Sequence, residues 1–302
     1  MDLESKIILI SGPTASGKSK IALKIAKKLN GEIINADSMQ VYKELKILTA
    51  RPSEIDLKKI EHHLYGFRTV KKDFSSGEWL KLAKKNIKKI RDKNKIPVLV
   101  GGTGLYFKAL TDGLVKIPNI PISFRNKIRR MQISLGQKKF YSKLLKLDPN
   151  IKSKIIETDS QRSIRAYEVK YYTKKSLYDW FKNTKSNFVK DDFFKVYIDF
   201  SRQELIERIN IRTKEMIENG AIKEVKDFIK LKVKKDKSAN KAIGVNEITE
   251  YLKKQKNIND TRDKIAIKTR QYAKRQSSWA RGNMIGWMKL KPQHINNFLK
   301  KI

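Results

Sequence analysis

The chain contains no cysteine, which excludes disulfides, thiolate-held zinc and cysteine-ligated iron–sulfur clusters. A reducing compartment is the natural setting for such a chain, and a cytoplasmic location is expected. No run approaches 18 consecutive apolar residues, so no transmembrane helix is readable and no membrane partner is expected. The opening residues Met1-Asp2-Leu3-Glu4-Ser5 are acidic where a secretory leader is basic, so no targeting segment is expected. Acidic residues are scarce: 31 Asp and Glu face 69 Lys and Arg over 302 residues, a formal charge of +38. What remains is ordinary for a folded protein. Hydrophobic residues make up 39% and aromatics 9%, which argues against wholesale disorder. The length suits one large domain or two modest ones. A monomer is the default expectation.

The charge points toward a polyanionic partner, because Lys and Arg displace counterions from phosphate backbones. Composition alone can also produce it. Only 15 of the 69 basic residues are Arg, and the other 54 are Lys. Runs such as Lys232–Lys237 suit a solvated surface as well as a binding stripe.

Hydrophobic patterning gives the fold class. Lys6–Ile10 reads as a buried strand, Ser11–Ser16 as a loop, and Gly17 to Leu29 as a helix with Ile21, Ala22, Ile25 and Ala26 on one face. A second strand follows at Glu32–Asn35, and Ala36–Tyr42 reads as a loop entering a helix. A helix over Gly77–Asn94 precedes the strand Ile96–Val100. Strands alternating with helices predict an α/β fold: a P-loop NTPase-like parallel sheet core. Ligands on such sheets sit at the C-terminal strand ends. Three loops occupy that edge, after Ile10, Asn35 and Val100. The expected division is a first core part at 1–117, a basic helical insertion domain at 118–190, and a mostly helical completion of the core at 191–302. A strand pattern returns at Phe193–Phe200.

Gly12-Pro13-Thr14-Ala15-Ser16-Gly17-Lys18-Ser19 matches the phosphate-loop pattern G-x-x-x-x-G-K-[ST]. Its glycines let backbone N–H groups converge on an anion, and the following helix points its positive end there. Lys18 is placed to neutralise phosphate oxygens, and Ser19 to ligate Mg²⁺. Phosphoryl transfer usually also needs a metal-holding Asp at a strand end. The strand Ile96–Val100 ends instead in Gly101-Gly102-Thr103-Gly104. Thr103 offers a hydroxyl there. Asp37 is the acid at the second strand end. Taken alone it suits a helix N-cap or a catalytic base equally.

At this point the sequence resembles one family, the tRNA dimethylallyltransferases, also called tRNA isopentenyltransferases. The resemblance lies in the phosphate loop, Asp37-Ser38-Met39-Gln40-Val41-Tyr42-Lys43, Thr49-Ala50-Arg51-Pro52 and Gly101-Gly102-Thr103-Gly104-Leu105-Tyr106. It continues in Asp159-Ser160-Gln161-Arg162 through Arg165 and Glu168, and in Thr269-Arg270-Gln271-Tyr272-Ala273-Lys274-Arg275-Gln276 through Trp279 and Arg281. Six motifs in the family's order span nearly the whole chain.

The resemblance implies transfer of a dimethylallyl group from dimethylallyl diphosphate to N6 of the adenosine just 3′ of the anticodon, in tRNAs reading U-initial codons. It implies Mg²⁺ as cofactor and the anticodon stem-loop of tRNA as partner. Asp37 matches the general base. Thr103 and Arg212 match groups near the diphosphate, which the loop Gly12–Ser19 holds. The implied tRNA contacts are Asp37, Ser38, Met39, Gln40, Thr103, Arg125, Gln161, Arg162, Ser163, Ile164 and Arg165. A later strip adds Lys241, Ala242, Ile243, Gly244, Val245 and Asn246.

Two positions depart from the family pattern. Leu48 stands where Gly is frequent, and Val245-Asn246 replace a Tyr followed by a basic residue. His62-His63-Leu64 resembles a family H-H-L stretch and reads as structural, since no acid lies at ligand spacing in the sequence. The competing functions are a P-loop kinase for a nucleotide or small molecule, and a non-catalytic RNA-binding protein.

Overall fold

A computed structural model describes residues 3–302; Met1 and Asp2, the start of the acidic N-terminal stretch, lie outside the described residues. The chain forms two compact units, one of residues 112–187 and one of the flanking segments.

The larger unit is built on a six-stranded parallel sheet of order β3-β2-β4-β1-β5-β6. The strands are β1 (Ile7–Ser11), β2 (Gly31–Asn35), β3 (His62–His63), β4 (Ile96–Gly101), β5 (Phe193–Ile198) and β6 (Met288–Leu290). β1, β2 and β4 are buried at every position. This is the signature of central parallel strands covered on both faces, and it explains their unbroken apolar runs. Helices connect and cover them: α1 (Lys18–Lys28), α2 (Glu54–Lys59), α3 (Ser76–Arg91) and α4 (Gly104–Thr111). α3 starts at a capping box, in which Ser75 accepts from the Glu78 N–H and Glu78 accepts from the Ser75 N–H.

The smaller unit is helical, with no strand among the described residues. It holds α5 (Ile122–Leu147), α6 (Ser160–Thr173) and α7 (Leu177–Phe181). α5 is broken at Gly136, whose φ of 72° and ψ of 162° lie outside helical space. Ile128, Phe140, Leu144, Ile151, Ala166 and Val169 form its core. The chain then returns to the larger unit through β5 and α8 (Arg202–Glu218), α9 (Ala221–Lys230), α10 (Val245–Leu252), α11 (Ile258–Asn283), β6 and α12 (Ile295–Lys301).

One local expectation is corrected. No helix begins after Ala36, and residues 36–53 run as turns. Their backbone groups are engaged elsewhere. The Gly66 and Arg68 N–H groups donate to the Gln40 and Val41 carbonyls, and the Lys43 N–H donates to the Arg68 carbonyl. Val41, Tyr42, Leu45 and Leu48 are buried from this irregular path. The strands β3 and β6, of two and three residues, were too short to leave a periodic signal.

Candidate active site

The phosphate loop joins β1 to α1. Ala15 and Gly17 both adopt positive φ, 63° and 72°, which bends the backbone around a central space. Lys18 donates to the Pro13 carbonyl at 3.2 Å, so its side chain folds back over the loop. Two arginines one turn apart on α8 brace the loop from outside. Arg208 donates to the Ala15 carbonyl at 2.6 Å, and Arg212 donates to the Thr14 hydroxyl at 3.0 Å.

The loops after β2 and β4 are interlocked beside it. Asn35 donates to the Asp37 carbonyl and accepts from the Asp37 N–H. One Asp37 carboxylate oxygen accepts from the Met39 N–H at 2.9 Å, leaving the other free of protein partners among the described residues. Asp37 therefore closes a turn and caps no helix. The Thr103 hydroxyl accepts from the Ser38 N–H at 2.9 Å and lies 3.2 Å from the Ser38 hydroxyl. The glycines after β4 have a packing reason. A Cβ on Gly101 would lie 2.0 Å from the Ala36 carbonyl oxygen, one on Gly102 2.2 Å from the Gln276 amide, and one on Gly104 2.2 Å from the Trp279 ring. Gln276, on α11, ties the two sides together: it accepts from the Thr14 N–H at 2.8 Å and donates to the Gly102 carbonyl at 2.9 Å.

Two cavities meet at this edge. One, of about 510 Å³, is lined by Thr14, Gly17, Lys18, Ser19, Asp37, Gln40, Thr49, Arg51, Arg208 and Arg212. The other, of about 350 Å³, is lined by Thr14, Asp37, Ser38, Met39, Leu48, Met216, Lys241, Ala242, Ile243, Ile265 and Tyr272. Thr14, Asp37, Thr49 and Arg212 belong to both. Both carry basic and hydroxyl side chains around the four residues they share; the first adds the phosphate loop, and the second adds an apolar patch of Met39, Leu48, Met216, Ala242, Ile243 and Ile265. A larger cavity of about 760 Å³, between α8 and α11, contains neither the phosphate loop nor Asp37. The chemistry belongs to the first two.

The electrostatics of the chamber favour an anion. Burial lowers Lys18 to about 8; Asp37 opposes the shift and Arg212 adds to it. Burial likewise lowers Arg212, with Asp37 opposing. Among the described residues no carboxylate comes within ion-pair distance of either cation. Two desolvated cations without an ion-pair partner are a standing attraction for a diphosphate. Asp37 and the hydroxyls of Thr14 and Ser19 line the chamber with hard oxygen donors, which suit Mg²⁺.

The remaining sequence-predicted residues divide by exposure. Lys241, Ala242 and Ile243 line the second cavity, and Asn246 is exposed, but Gly244 and Val245 are buried away from it. Gly244 has a φ of 106°, and a Cβ there would lie 2.5 Å from Leu48 Cδ2. Leu48, the larger residue at a frequent glycine position, thus fills the space that Gly244 leaves. In the smaller unit Gln161 and Arg162 are exposed, Arg125, Ile164 and Arg165 are half-buried, and Ser163 is buried, with the Gln137 amide donating to its hydroxyl.

Sequence reading missed Gln276, Arg208 and Tyr272 as site residues. The spacing of Arg208 and Arg212, four apart on one helix, was the available signal. It also missed the surroundings of His63. Folding brings Glu32 and Glu61 to that ring, with Glu32 at 2.8 Å from Nε2 and Glu61 at 3.7 Å. The cluster does not need a metal to balance it. Lys93 contacts both carboxylates, at 2.9 and 2.8 Å, and Lys95 contacts Glu32 at 3.0 Å.

Sheet order, phosphate loop and anion chamber together define a P-loop α/β protein. A model of the IPP transferase family matches residues 40–283. A tRNA dimethylallyltransferase of Pelagibacter ubique is 60% identical over 302 residues, covering 100% of this chain and 96% of the relative. One from Agrobacterium fabrum is 40% identical, covering 97% and 99%. Among solved structures, a eukaryotic dimethylallyltransferase acting on tRNA matches with a TM-score of 0.83 at 28% identity, over 95% of this chain and 73% of that one. The tRNA isopentenylpyrophosphate transferase of Bacillus halodurans matches with a TM-score of 0.70 at 29% identity, over 98% and 95%. The chain belongs to the IPP transferase family.

Proposed function

We propose that this protein transfers the dimethylallyl group of dimethylallyl diphosphate to N6 of the adenosine 3′-adjacent to the anticodon, in tRNAs reading U-initial codons, and releases diphosphate. One observation carries the reading: Asp37 stands where the basic chamber beside the phosphate loop meets a second cavity that carries an apolar patch. An acid at that junction can serve a nucleophile that attacks a carbon while the phosphate end is held. A kinase reading is less favoured, because β4 ends in Gly101 with no acid to hold a metal for phosphoryl transfer.

The loop N–H groups, Lys18 and Arg212 stabilise the charge that grows on the diphosphate as its C1–O bond breaks. The adenine amine attacks C1, and its proton passes to the free oxygen of Asp37 as the C–N bond forms. The Met39 N–H fixes the carboxylate rotamer. Thr103 holds the Asp37–Ser38 turn from the glycine loop. Ser19 would hold Mg²⁺, which would supply further neutralisation of the leaving group.

The tRNA is held by Ser38, Met39, Gln40, Lys241, Ile243 and Asn246 on the larger unit, and by Arg125, Gln161, Arg162, Ile164 and Arg165 on the smaller. Ala242 lines the cavity beside them, and Ser163, Gly244 and Val245 support these strips from beneath. The adenine leaves its stack to reach Asp37, as base-modifying enzymes require. The protein works as a cytoplasmic monomer; among the described residues no helix is long and apolar enough to cross a membrane. The test is incubation with Mg²⁺, labelled dimethylallyl diphosphate and unmodified tRNA, followed by mass spectrometry of nucleosides. Prenylated adenosine is expected, and its absence with every U-codon tRNA overturns the reading.

A further inference from the structure

The smaller unit carries an aromatic ladder that the proposed chemistry does not use. It starts in the core at Phe140, which is fully buried, and passes to Tyr167 at 5.3 Å. Tyr167 stacks on Tyr171 at 5.9 Å and 13°, and Tyr171 on Phe124 at 5.5 Å and 28°. Phe124 then meets Tyr172 at 5.7 Å and 52°. The ladder therefore climbs from the core to solvent, where Tyr171 is 47% and Tyr172 43% exposed. Phe124 is the one ring that meets Tyr172 among the described residues. Exposed aromatic rings fixed this firmly cost little further entropy to use.

The surroundings are cationic. Residue 124 adjoins Arg125, and the Arg125 and Arg165 guanidinium groups flank the same buried Glu168 oxygen, at 3.5 and 3.3 Å. Both side chains remain more than a third exposed, so their outer N–H groups face solvent. Gln161, Arg165, Glu168 and Tyr172 follow a 4-3-4 spacing, one face of α6. Lys174 places its ammonium 5.0 Å from the centre of the Tyr171 ring. A fixed ring beside paired arginines is how proteins hold unpaired RNA: the ring stacks a base and the cations take the flanking phosphates.

We propose that Tyr172, braced by Phe124, is a stacking residue for an unpaired base of the RNA substrate, with Arg125, Arg165 and Lys174 taking the adjoining phosphates. This rests on the prenyltransferase reading above, so wild-type binding and modification of unmodified tRNA are measured first. Failure there sinks that reading. With a competent wild type, full-length Tyr172→Ala should raise the Kd for tRNA about 5- to 100-fold, the range for losing one base stack. Its kcat at saturating tRNA, its KM for dimethylallyl diphosphate and the salt dependence of Kd should stay unchanged. Tyr172→Phe should bind like wild type, and Tyr172→Trp should lose indole emission when tRNA is added. A Kd for Tyr172→Ala within twofold of wild type overturns the proposal, as does a Phe variant as weak as Ala or an unquenched Trp. Should the Ala variant fail to fold, Tyr172→Leu keeps the apolar bulk without the ring and should show the same loss; wild-type affinity in it overturns the proposal.

Discussion

The two edges of one sheet treat charge in opposite ways. At the N-terminal edge, buried Glu32 is surrounded by Lys93, Lys95 and His63, all within 3.0 Å. Burial alone would raise its carboxyl, but hydrogen bonds from Lys93, His63 and Lys95 outweigh that and hold it at about 2. At the C-terminal edge, Lys18 and Arg212 are desolvated with no carboxylate at ion-pair distance, and both are lowered. A balanced buried cluster stabilises the fold. An unbalanced one stores an affinity for the missing charge. The same sheet thus separates a structural end from a binding end.

The largest test of this contrast is Asp37→Ala. Rates of prenyl transfer should fall on the order of 10²- to 10⁴-fold, the range for a general base, with tRNA affinity and thermal stability nearly unchanged. A stability loss with little rate loss would return Asp37 to a turn-closing role. Next is Glu32→Ala, which should destabilise by about 2 kcal/mol, less than for a fully buried pair because Lys93 and Lys95 reach solvent. Calorimetry checks it, and transfer activity below the melting range should be retained. The sign of its pH dependence follows from the folded value lying below the ordinary carboxyl value of about 4.3. The contribution is present above that pH and fades as pH falls toward about 2, so mutant and wild-type melting temperatures should converge there.

Lys18 gives the opposite sign. It is cationic below about 8 and neutral above, so kcat/KM for the donor should decline as pH rises through that value. Lys18→Arg keeps its charge, and the decline should move upward or vanish in it. The smallest effect is expected from Gln276→Leu, which frees the Thr14 N–H and the Gly102 carbonyl. Losing two neutral hydrogen bonds of about 1 kcal/mol each should weaken donor binding by about thirtyfold at most, since part of the loss falls on the free protein. Isothermal titration with dimethylallyl diphosphate checks this.

The phosphate loop, the parallel sheet and the helical character of the stretch between β4 and β5 were legible because each leaves a local pattern: glycines at fixed spacing, apolar runs, helical periodicity. Asp37 was visible as an acid at a strand end. Its role was not, because a cap and a turn look alike until the backbone partners of residues 40–43 are known. Gln276 and Tyr272 were legible only as letters in a motif. Their roles depend on contacts between α11 and the first strand loops, which no local pattern encodes. The Glu32 cluster escaped for the same reason: its members lie at 32, 61, 63, 93 and 95 and meet only through sheet order.

The Thr14–Gln276 hydrogen bond joins groups 262 positions apart. The phosphate loop is therefore synthesised long before the residue that fastens it to the glycine loop. During translation the first strands and their anion-binding turn can leave the ribosome while α11 is still unmade. A growing chain in that state has the residues of a donor site without its clasp. The clasp comes late in the chain: the phosphate loop and the glycine loop are fastened together only once Gln276 has been added.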